Sequence, residues 1–299
     1  MARVIVAGKY QLLKKIGLGS FGKIFSAKDT SEAGTDTSGA DTSGADTSEA
    51  DTSEADTSEA EIEKEYAIKI MSLEHSALLK NEVAIYEKLR EIKNIPTLYA
   101  SGVEGKFNYM VMDLLDQSIE QLRLDYGDQM SLKVVIHLAT QMLTLIEQIH
   151  AYGIIHRDLK PANFLLKTNA QQISEIYLID FGLAKSFLDE KDRHLSIKTN
   201  ESIIGTQRYM SINTHCGLTA SRRDDLESIG YILMFLYHGQ LKWQNQKSLS
   251  RVVELKQNLD YNDTIGEFFL FVRYCRNLGF ADKPNYAYLR GMLENLNKL

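Results

Sequence analysis

About a third of the way along this 299-residue chain, the hydrophobic pattern changes from short, strand-like runs to a helical periodicity. Short runs of β-branched and aromatic residues predict strands at 22–28, 66–70 and 107–112. Further on, apolar residues recur at three- and four-residue intervals, which predicts an amphipathic helix that ends near Gly153. Its apolar stripe consists of Val134, Leu138, Met142, Leu145 and Ile149. A β region followed by a larger helical region indicates an α+β protein.

A repetitive acidic segment interrupts the β region. Between Asp29 and Glu65 there are 13 acidic residues and one basic residue, while the rest of the chain has 33 basic against 27 acidic residues. Pentads such as Asp36-Thr37-Ser38-Gly39-Ala40 recur up to Ala60, and Ala is their apolar residue type. Such a segment cannot bury enough surface to offset the entropy of ordering. We therefore expect residues 29–63 to form a disordered insertion within a folded domain, because both flanks are strand-like.

Composition bounds the compartment and the partners. Two cysteines, Cys216 and Cys275, argue against a disulfide framework and for a reducing compartment. The apolar run 231–237 is about a third of the length that a bilayer span requires, so we expect a buried helix there and no membrane segment. No secretory signal is visible at the start. We expect a cytoplasmic or nuclear protein, or one found in both, with acidic or phosphorylated partners and no direct binding of nucleic acid.

Two short motifs carry the clearest chemistry. Residues 156–163 read His-Arg-Asp-Leu-Lys-Pro-Ala-Asn, and residues 180–182 read Asp-Phe-Gly. Phosphoryl transfer needs a carboxylate to accept the substrate hydroxyl proton, the role we predict for Asp158, and metal ligands for Mg²⁺, predicted to be Asn163 and Asp180. Either motif alone arises by chance in unrelated loops. Their order and spacing together predict a protein kinase that uses ATP and Mg²⁺.

Lys160, two residues after Asp158, refines this prediction. Serine/threonine kinases carry a lysine at this position that can steady the transferring phosphate. We therefore expect serine/threonine specificity and assign the catalytic roles to Asp158, Lys160, Asn163 and, in the nucleotide site, Lys69.

The β region has the features of a nucleotide site. Residues 16–24 read Ile-Gly-Leu-Gly-Ser-Phe-Gly-Lys-Ile, a glycine-rich loop whose backbone can approach phosphates closely. The same glycine spacing opens dinucleotide-binding folds, but a helix follows it there, whereas β-forming residues follow it here. Ala67-Ile68-Lys69 is similar to the kinase strand whose lysine contacts the α- and β-phosphates. The ATP contacts predicted in this region are Ile16, Gly17, Gly19, Ser20, Gly22, Ile24, Ala67 and Lys69.

Two further parts of the nucleotide site are expected downstream. A carboxylate on the next helix should hold Lys69, and Glu82 is the candidate because it lies on the inward stripe, with Glu74 and Glu87 as alternatives. The strand 107–112 then leads into a segment that stands where kinase hinges contact adenine through backbone groups. The predicted contacts there are Met112, as gatekeeper, Asp113 and Leu115.

The residues after the second motif resemble one family closely. Residues 205–215, Gly-Thr-Gln-Arg-Tyr-Met-Ser-Ile-Asn-Thr-His, stand where most protein kinases have Ala-Pro-Glu, and 221–228, Ser-Arg-Arg-Asp-Asp-Leu-Glu-Ser, follow. Together with Ile95-Pro96-Thr97 and residues 282–290, they resemble the casein kinase I family. The likeness runs from Tyr10 to about Leu293, broken mainly by the acidic insertion.

The resemblance implies a bilobal protein kinase fold. Its N-lobe, residues 1–115, would be a small, mostly antiparallel β lobe with one main helix, and its C-lobe, residues 116–299, would be mainly helical. The resemblance also implies a monomeric, Mg-ATP-dependent serine/threonine kinase that prefers acidic or phosphate-primed protein substrates. Asp225 resembles the kinase aspartate that hydrogen-bonds the catalytic-loop backbone.

An anion site beside the substrate groove is also implied, at Arg208, Gly239 and Lys247. A guanidinium and an ammonium supply charge-assisted bonds to phosphate, and a glycine lets a backbone amide come close. The sequence departs from the family at Asp116-Gln117, in place of Gly-Pro, and at Lys242, in place of Pro.

Two other functions share part of this pattern. A kinase-fold scaffold without catalysis would normally lose a metal ligand or the phosphate-contacting lysine. Four residues that catalysis needs are nevertheless all present, namely Lys69, Asp158, Asn163 and Asp180. A nucleotide-dependent enzyme acting on small molecules would lack the segment 205–215. Thr52 and Thr57 each have a glutamate three residues before them, Glu49 and Glu54, an arrangement that resembles the substrates of that family. It predicts slow autophosphorylation at Thr52 or Thr57, with inert, solvated repeats as the alternative.

Overall fold

The computed structural model of the chain describes residues 4–19, 22–31, 64–168 and 174–296. Contacts between Cα atoms divide the chain into two compact units, one of Met1–Leu73 and Tyr99–Leu114 and the other of Glu74–Leu98 and Leu115–Leu299. The segment 74–98, which the sequence analysis placed in the N-lobe, therefore groups with the second unit. The reason is local packing: the ring of Tyr86 lies edge-on to that of Phe181, with centroids 5.1 Å apart.

The first unit is built around one six-stranded sheet with the strand order β1-β2-β3-β4-β6-β5. The strands are β1 (Ile5–Val6), β2 (Tyr10–Leu18), β3 (Gly22–Asp29), β4 (Glu65–Ser72), β5 (Leu98–Glu104) and β6 (Phe107–Asp113). The pairs β1–β2, β2–β3, β3–β4 and β4–β6 are antiparallel. A buried cluster of Val6, Tyr10, Ala27, Tyr66, Ile68 and Val111 forms the core of this sheet. The three strands predicted from the sequence are confirmed.

The strand prediction for both flanks of the acidic insertion is also confirmed. Lys28 of β3 pairs with Glu65 of β4, so the two strands that flank the repeats are antiparallel neighbours in one sheet. The insertion therefore lies in a strand-to-strand connection. Its predicted disorder concerns residues 29–63, of which 32–63 lie outside the described residues.

The second unit is mainly helical, and the described residues of the chain contain eight α-helices, all in this unit. They are α1 (Ser76–Lys88), α2 (Ile119–Asp125), α3 (Leu132–Ala151), α4 (Ile212–His215), α5 (Arg222–His238), α6 (Leu249–Gln257), α7 (Gly266–Asn277) and α8 (Tyr286–Leu296). Two pairs of short strands complete the unit: β7 (Ile154–Ile155) with β10 (Lys185–Ser186), and β8 (Phe164–Thr168) with β9 (Ser174–Leu178). The α+β expectation is confirmed.

Helix α3 follows the predicted pattern closely. The hydroxyl of Ser131 caps its first turn by accepting from the Val134 N–H, and Gly153, with φ of 75°, follows its end. The stripe residues Leu138, Met142, Leu145 and Ile149 are buried, and Val134 is half-buried. Helix α3 is long and apolar enough to cross a bilayer, but half of it is buried in its unit and a buried core helix meets the same criterion. The predicted helix at 231–237 lies within α5, whose residues 224–236 are buried.

Candidate active site

Short strand pairs bring the two sequence motifs together. Ile155 of β7 pairs with Lys185 of β10, so the chain enters the first motif beside the point where it leaves the second. The N–H of Ile179 donates to the carbonyl of Asn163 at 3.0 Å. Residues that are far apart in sequence therefore lie in adjacent segments.

Asp225, in the first turn of α5, anchors the backbone of the first motif. Its carboxylate accepts from the N–H groups of His156 at 2.7 Å and Arg157 at 2.9 Å, and it contacts the ring of His150 at 3.0 Å. The other ring nitrogen of His150 bonds to the hydroxyl of Tyr286 at 2.6 Å. Burial acts to raise the pKa of Asp225, but the bonds from His150 and His156 outweigh it, so the pKa is lowered. The structural role predicted for Asp225 is confirmed.

This anchoring holds a strained backbone in place. Arg157 has φ of 67°, a conformation that costs energy for a residue other than glycine. Its guanidinium Nε donates to the carbonyl of Leu183 at 2.6 Å, which ties the first motif to the residue after Asp-Phe-Gly. The backbone conformation at Arg157 thus sets the direction in which the side chain of the next residue, Asp158, points.

Asp158 is buried, and both of its carboxylate oxygens are hydrogen-bonded. Oδ1 accepts from the N–H of Thr206 at 2.8 Å and from its hydroxyl at 2.7 Å. Oδ2 accepts from Nζ of Lys160 at 2.6 Å. These three hydrogen bonds fix the orientation of the carboxylate. Sequence reasoning placed Lys160 but missed Thr206, whose only signal was its position in the Gly-Thr pair.

Gly205 makes the contact between Thr206 and Asp158 possible. It has φ of 105°, and a Cβ atom there would lie 2.7 Å from the carbonyl oxygen of Arg157. A side chain at this position would push the segment away from the loop. The glycine therefore allows the backbone of Thr206 to approach Asp158.

The predicted metal ligands, Asn163 and Asp180, lie on the adjacent segments. Nδ2 of Asn163 donates to the carbonyl of Asp158 at 2.9 Å, so its amide oxygen is the atom left to coordinate a cation. Asp180 has φ of 65°, and its N–H donates to the hydroxyl of Tyr86 at 3.3 Å. Phe181 is fully buried between the rings of Tyr86 and His156, both at 5.1 Å, and fixes the position of the second motif.

The chemistry of these two ligands fits Mg²⁺, which is usually held by one or two protein oxygens together with water and phosphate oxygens. Among the described residues, no group of three or more His, Cys, Asp or Glu side chains could hold a metal. An amide and a carboxylate that share the ion with a nucleotide do not require such a group.

The candidate nucleotide residues of the first unit lie on neighbouring strands. Gly17 pairs with Ile24, and Ile24 pairs with Lys69, across β2, β3 and β4. Ala67 of β4 pairs with Met112 of β6. Lys69 is buried, and a Cβ atom at Gly19 would lie 3.6 Å from its Cε, so the glycine-rich segment runs beside the lysine stem. The sheet thus places these candidate residues on neighbouring strands.

The remaining nucleotide candidates are distributed as follows. Asp113 ends β6, and its carboxylate accepts from the hydroxyl of Tyr99 at 2.8 Å. Glu82 is buried on α1. Leu115 is half-buried and is the first residue of the segment Leu115–Leu299 of the second unit. Ile16 is exposed, and Ser20 lies outside the described residues.

The departure at Asp116-Gln117 has a structural role. The N–H of Asp116 donates to the carbonyl of Leu166 at 2.9 Å, and the N–H of Leu166 donates to the carbonyl of Gln117 at 2.9 Å. The carboxylate of Asp116 accepts from the N–H of Thr168 at 2.8 Å. These residues therefore bind the segment after the predicted hinge to β8.

A groove of about 400 Å³ runs beside the Asp158 loop. Its lining residues are Glu120, Lys160, Pro161, Ala162, Thr206, Gln207, Arg208, Tyr209 and Gln244. The guanidinium of Arg208 lies 5.3 Å from the ring centroid of Phe235, and the carbonyl of Arg208 accepts from Nε1 of Trp243 at 2.7 Å. Two cations, Lys160 and Arg208, thus share one groove with one acid, Glu120, which bonds to Arg123 at 3.2 Å.

Of the three residues of the predicted anion site, Arg208 lines this groove and Gly239 has a structural role at the end of a helix. The N–H of Gly239 donates to the carbonyl of Phe235 at 2.8 Å, because Gly239, with φ of 75°, caps the end of α5. Its amide therefore serves the helix. Neither Gly239 nor the exposed Lys247 lines the groove that contains Arg208.

Residues 211–213 are hydrogen-bonded to the first turns of α5. Asp224 accepts from the hydroxyl of Ser211 at 2.7 Å and from Nδ2 of Asn213 at 3.2 Å. Glu227 accepts from the N–H of Ile212 at 3.3 Å. Burial raises the pKa of Asp224 to about 6. The residues that replace Ala-Pro-Glu are thus bonded to the first turns of α5.

A family model described as a protein kinase domain matches residues 55–268. The matched span contains Lys69, the motifs at 156–163 and 180–182, and the groove, and it starts within the acidic repeats. It covers more than half of the chain and agrees with the antiparallel sheet followed by helices and with the geometry around Asp158. The chain therefore belongs to the protein kinase family.

Proposed function

We propose that this protein is a serine/threonine kinase similar to casein kinase I, with acidic or phosphate-primed proteins as substrates. The observation that carries the proposal is the Asp158 carboxylate, held on one oxygen by Thr206 and on the other by Lys160, beside a groove that also contains Arg208. Family membership implies ATP as the phosphoryl donor and a divalent cation as its companion. Assignment of Mg-ATP to particular residues is part of the proposal.

In the proposed reaction Asp158 accepts the proton of the substrate hydroxyl as the γ-phosphoryl group is transferred. Lys160 holds the carboxylate at 2.6 Å and would also contact the phosphoryl oxygens of the bound nucleotide. The bound metal would neutralise phosphate charge, and Asn163 and Asp180 would hold it. Lys69, with Glu82 as its carboxylate partner, would contact the α- and β-phosphates.

The groove supports the preference for acidic acceptors. Lys160 and Arg208 contribute two positive charges to its lining and Glu120 contributes one negative charge, which Arg123 partly offsets. A carboxylate or phosphate near the acceptor hydroxyl would form charge-assisted bonds with these cations. We propose Arg208 as the main anion contact, and Lys247 as a more distant one.

A replacement of the proposed base tests the catalytic mechanism. Asp158→Asn, incubated with labelled ATP, Mg²⁺ and an acidic protein substrate, should lose phosphoryl transfer by roughly 10²-fold or more, because an amide cannot accept the proton. Asp192→Asn is the matched control, since Asp192 is exposed with φ of 56°, a backbone conformation that asparagine tolerates. Equal transfer by Asp158→Asn and the native protein would overturn the proposal.

The substrate preference needs its own experiment. A peptide array should compare neutral, acidic and phosphoprimed sequences around serine, threonine and tyrosine acceptors. We expect acidic and primed serine or threonine peptides to be phosphorylated fastest, and Arg208→Gln to reduce that advantage. Equal rates on neutral and acidic peptides would remove the substrate preference and leave the kinase activity in place.

A further inference from the structure

A buried lysine lies directly beneath the groove. Lys256, on α6, is fully buried, and its Nζ donates to the carbonyls of Gln207 at 2.9 Å and Met210 at 2.6 Å. The same nitrogen bonds to Nε2 of His215 at 3.1 Å. Its partners therefore all belong to the segment between Gly205 and α4 or to α4 itself.

Trp243 adds a third anchor to that segment. Its Nε1 donates to the carbonyl of Arg208 at 2.7 Å, and its ring lies 5.3 Å from Nζ of Lys256. Three carbonyls within four residues, those of Gln207, Arg208 and Met210, are thus held by two side chains that also contact each other. Residues 205–210 form neither helix nor strand, so these bonds replace the regular pairing that would otherwise fix the backbone.

Among the described residues, Nζ of Lys256 has no hydrogen bond to a carboxylate, because the nearby Glu227 is bonded to other groups. Glu227 accepts from Arg276 at 3.2 Å and from Tyr231 at 2.5 Å, and Arg276 also donates to the backbone carbonyl of Lys256 at 2.8 Å. Burial lowers the pKa of Lys256 to about 7 and that of His215 to about 4. Nζ of Lys256 therefore bonds to backbone carbonyls and to an uncharged imidazole.

The cost of this burial indicates what the lysine provides. Placing an ammonium among apolar rings costs several kcal/mol unless it is fully hydrogen-bonded, and an apolar side chain of similar length would fill the same space without that cost. An apolar side chain could not hold the two carbonyls. Besides packing, Lys256 therefore fixes the position of the Gln207–Met210 backbone. That backbone in turn sets where the side chains of Thr206 and Arg208 point.

We propose that Lys256 is a positioning residue for the protein substrate, acting through the segment 206–210. The inference rests on the proposed function, because that segment lines the groove assigned to the acceptor. Lys256 does not contact the candidate nucleotide residues of the second unit in the described bonds. Its loss should therefore raise KM for the acceptor peptide much more than KM for ATP.

The test compares Lys256→Met, which keeps the length and loses the donor, with Arg251→Met, which removes an exposed cation from the same helix. We expect Lys256→Met to raise KM for an acidic peptide about tenfold, with KM for ATP within about twofold of native, and Arg251→Met to leave both constants unchanged. Trp243→Phe keeps an aromatic ring and loses the bond to Arg208, and it should raise peptide KM about threefold even where Lys256→Met fails to fold.

The outcomes separate the two proposals. A native protein that phosphorylates no protein or peptide would end the proposed function and this inference with it. An active native protein with peptide KM unchanged in Trp243→Phe, or in a folded Lys256→Met, would end the inference alone. A parallel rise of both KM values in the two variants would show a general loss of structure and would also end it.

Discussion

The hydroxyl and the backbone N–H of Thr206 both donate to the same oxygen of Asp158, at 2.7 and 2.8 Å. Two bonds to Oδ1 and one to Oδ2 from Lys160 fix the rotation of the carboxylate. Thr206, the first residue of the segment 206–210, is therefore bonded directly to the proposed base, Asp158. This contact couples the position of the segment to the direction of the carboxylate.

We predict that Thr206→Val lowers kcat about tenfold. Valine keeps the shape and the backbone N–H, but it loses a hydrogen bond to a charged group, which contributes about 1.5 kcal/mol or more. The measurement is steady-state phosphorylation of an acidic peptide. Thr206→Ser, which keeps the hydroxyl, is the control and should stay within about threefold of native. A Val variant as active as the Ser variant would contradict the role of the hydroxyl.

We predict that Asp225→Asn destabilises the protein by about 3 kcal/mol and abolishes most activity. The backbone N–H groups of His156 and Arg157 each donate to an oxygen of the Asp225 carboxylate. In asparagine one of these oxygens is replaced by an NH₂ group, which is itself a donor, so one buried backbone N–H loses its acceptor. The left-handed turn at Arg157 would then lose its anchor. Urea unfolding and peptide phosphorylation measure the two effects. Native stability in the Asn variant would show that the carboxylate does not anchor the loop.

Two glycines of the first unit should respond differently to replacement by alanine. A Cβ atom at Gly22 would lie 2.8 Å from Cγ of Met71 and still closer to the carbonyl oxygen of Ile70. At Gly19 the nearest atom, Cε of Lys69, would be 3.6 Å away, an ordinary van der Waals contact. We predict that Gly22→Ala costs about 1–3 kcal/mol of unfolding free energy, because a backbone carbonyl cannot move aside cheaply.

Gly19→Ala serves as the matched variant. It should unfold like the native protein, yet raise KM for ATP if the segment approaches phosphates as proposed. Thermal unfolding measures the stability, and initial rates of peptide phosphorylation at varied ATP concentration measure KM for ATP. Equal melting temperatures for Gly22→Ala and Gly19→Ala would contradict the packing argument.

The motifs and the periodic segments were predictable because their signals are local. The β3–β4 pair, the α3 stripe and the order of Asp158, Asn163 and Asp180 are all visible as spacing along the chain. The contact of Thr206 with Asp158 was not, because it depends on a left-handed backbone at Gly205. A single glycine in a polar segment gives no indication of which residue its neighbour will reach.

Lys256 and Gly239 show two other limits. Lys256 is a lysine on a helix with polar neighbours, a pattern typical of an exposed position. Its hydrogen-bond partners lie 41 to 49 residues earlier in the chain. Gly239 was assigned to an anion site by resemblance, but its N–H caps α5. A glycine at a helix end has a structural role that competes with ligand binding.

We predict autophosphorylation at Thr52 or Thr57, which lie outside the described residues. Glu49 and Glu54 supply an acid three residues before each threonine, and cations of the groove would attract it. Mass spectrometry after incubation with Mg-ATP measures the modification. Asp158→Asn is the control for phosphorylation by the protein itself, and a double variant with Glu49→Gln and Glu54→Gln should be modified more slowly. Unmodified repeats in the active native protein would refute the prediction.

The buried carboxylate of Asp224 should make stability depend on pH in the weakly acidic range. Burial raises its pKa from 3.8 to about 6, so the folded protein holds this proton more tightly than the unfolded chain does. The stabilisation is fully present below pH 3.8 and is lost as pH rises through about 6. Acidification from pH 7 to pH 5 should therefore stabilise the native protein relative to Asp224→Asn by roughly 1 kcal/mol.

Urea unfolding of both proteins at pH 5, 6 and 7 measures this difference. Asp224→Asn should be less stable at every pH, because the N–H of Ser221 and the hydroxyl of Ser211 both donate to the carboxylate at 2.7 Å. Other groups titrate equally in the two proteins, so they cancel in the comparison. A difference that stays constant from pH 5 to pH 7 would mean that Asp224 remains ionised, its bonds from Ser211 and Ser221 having overcome the effect of burial.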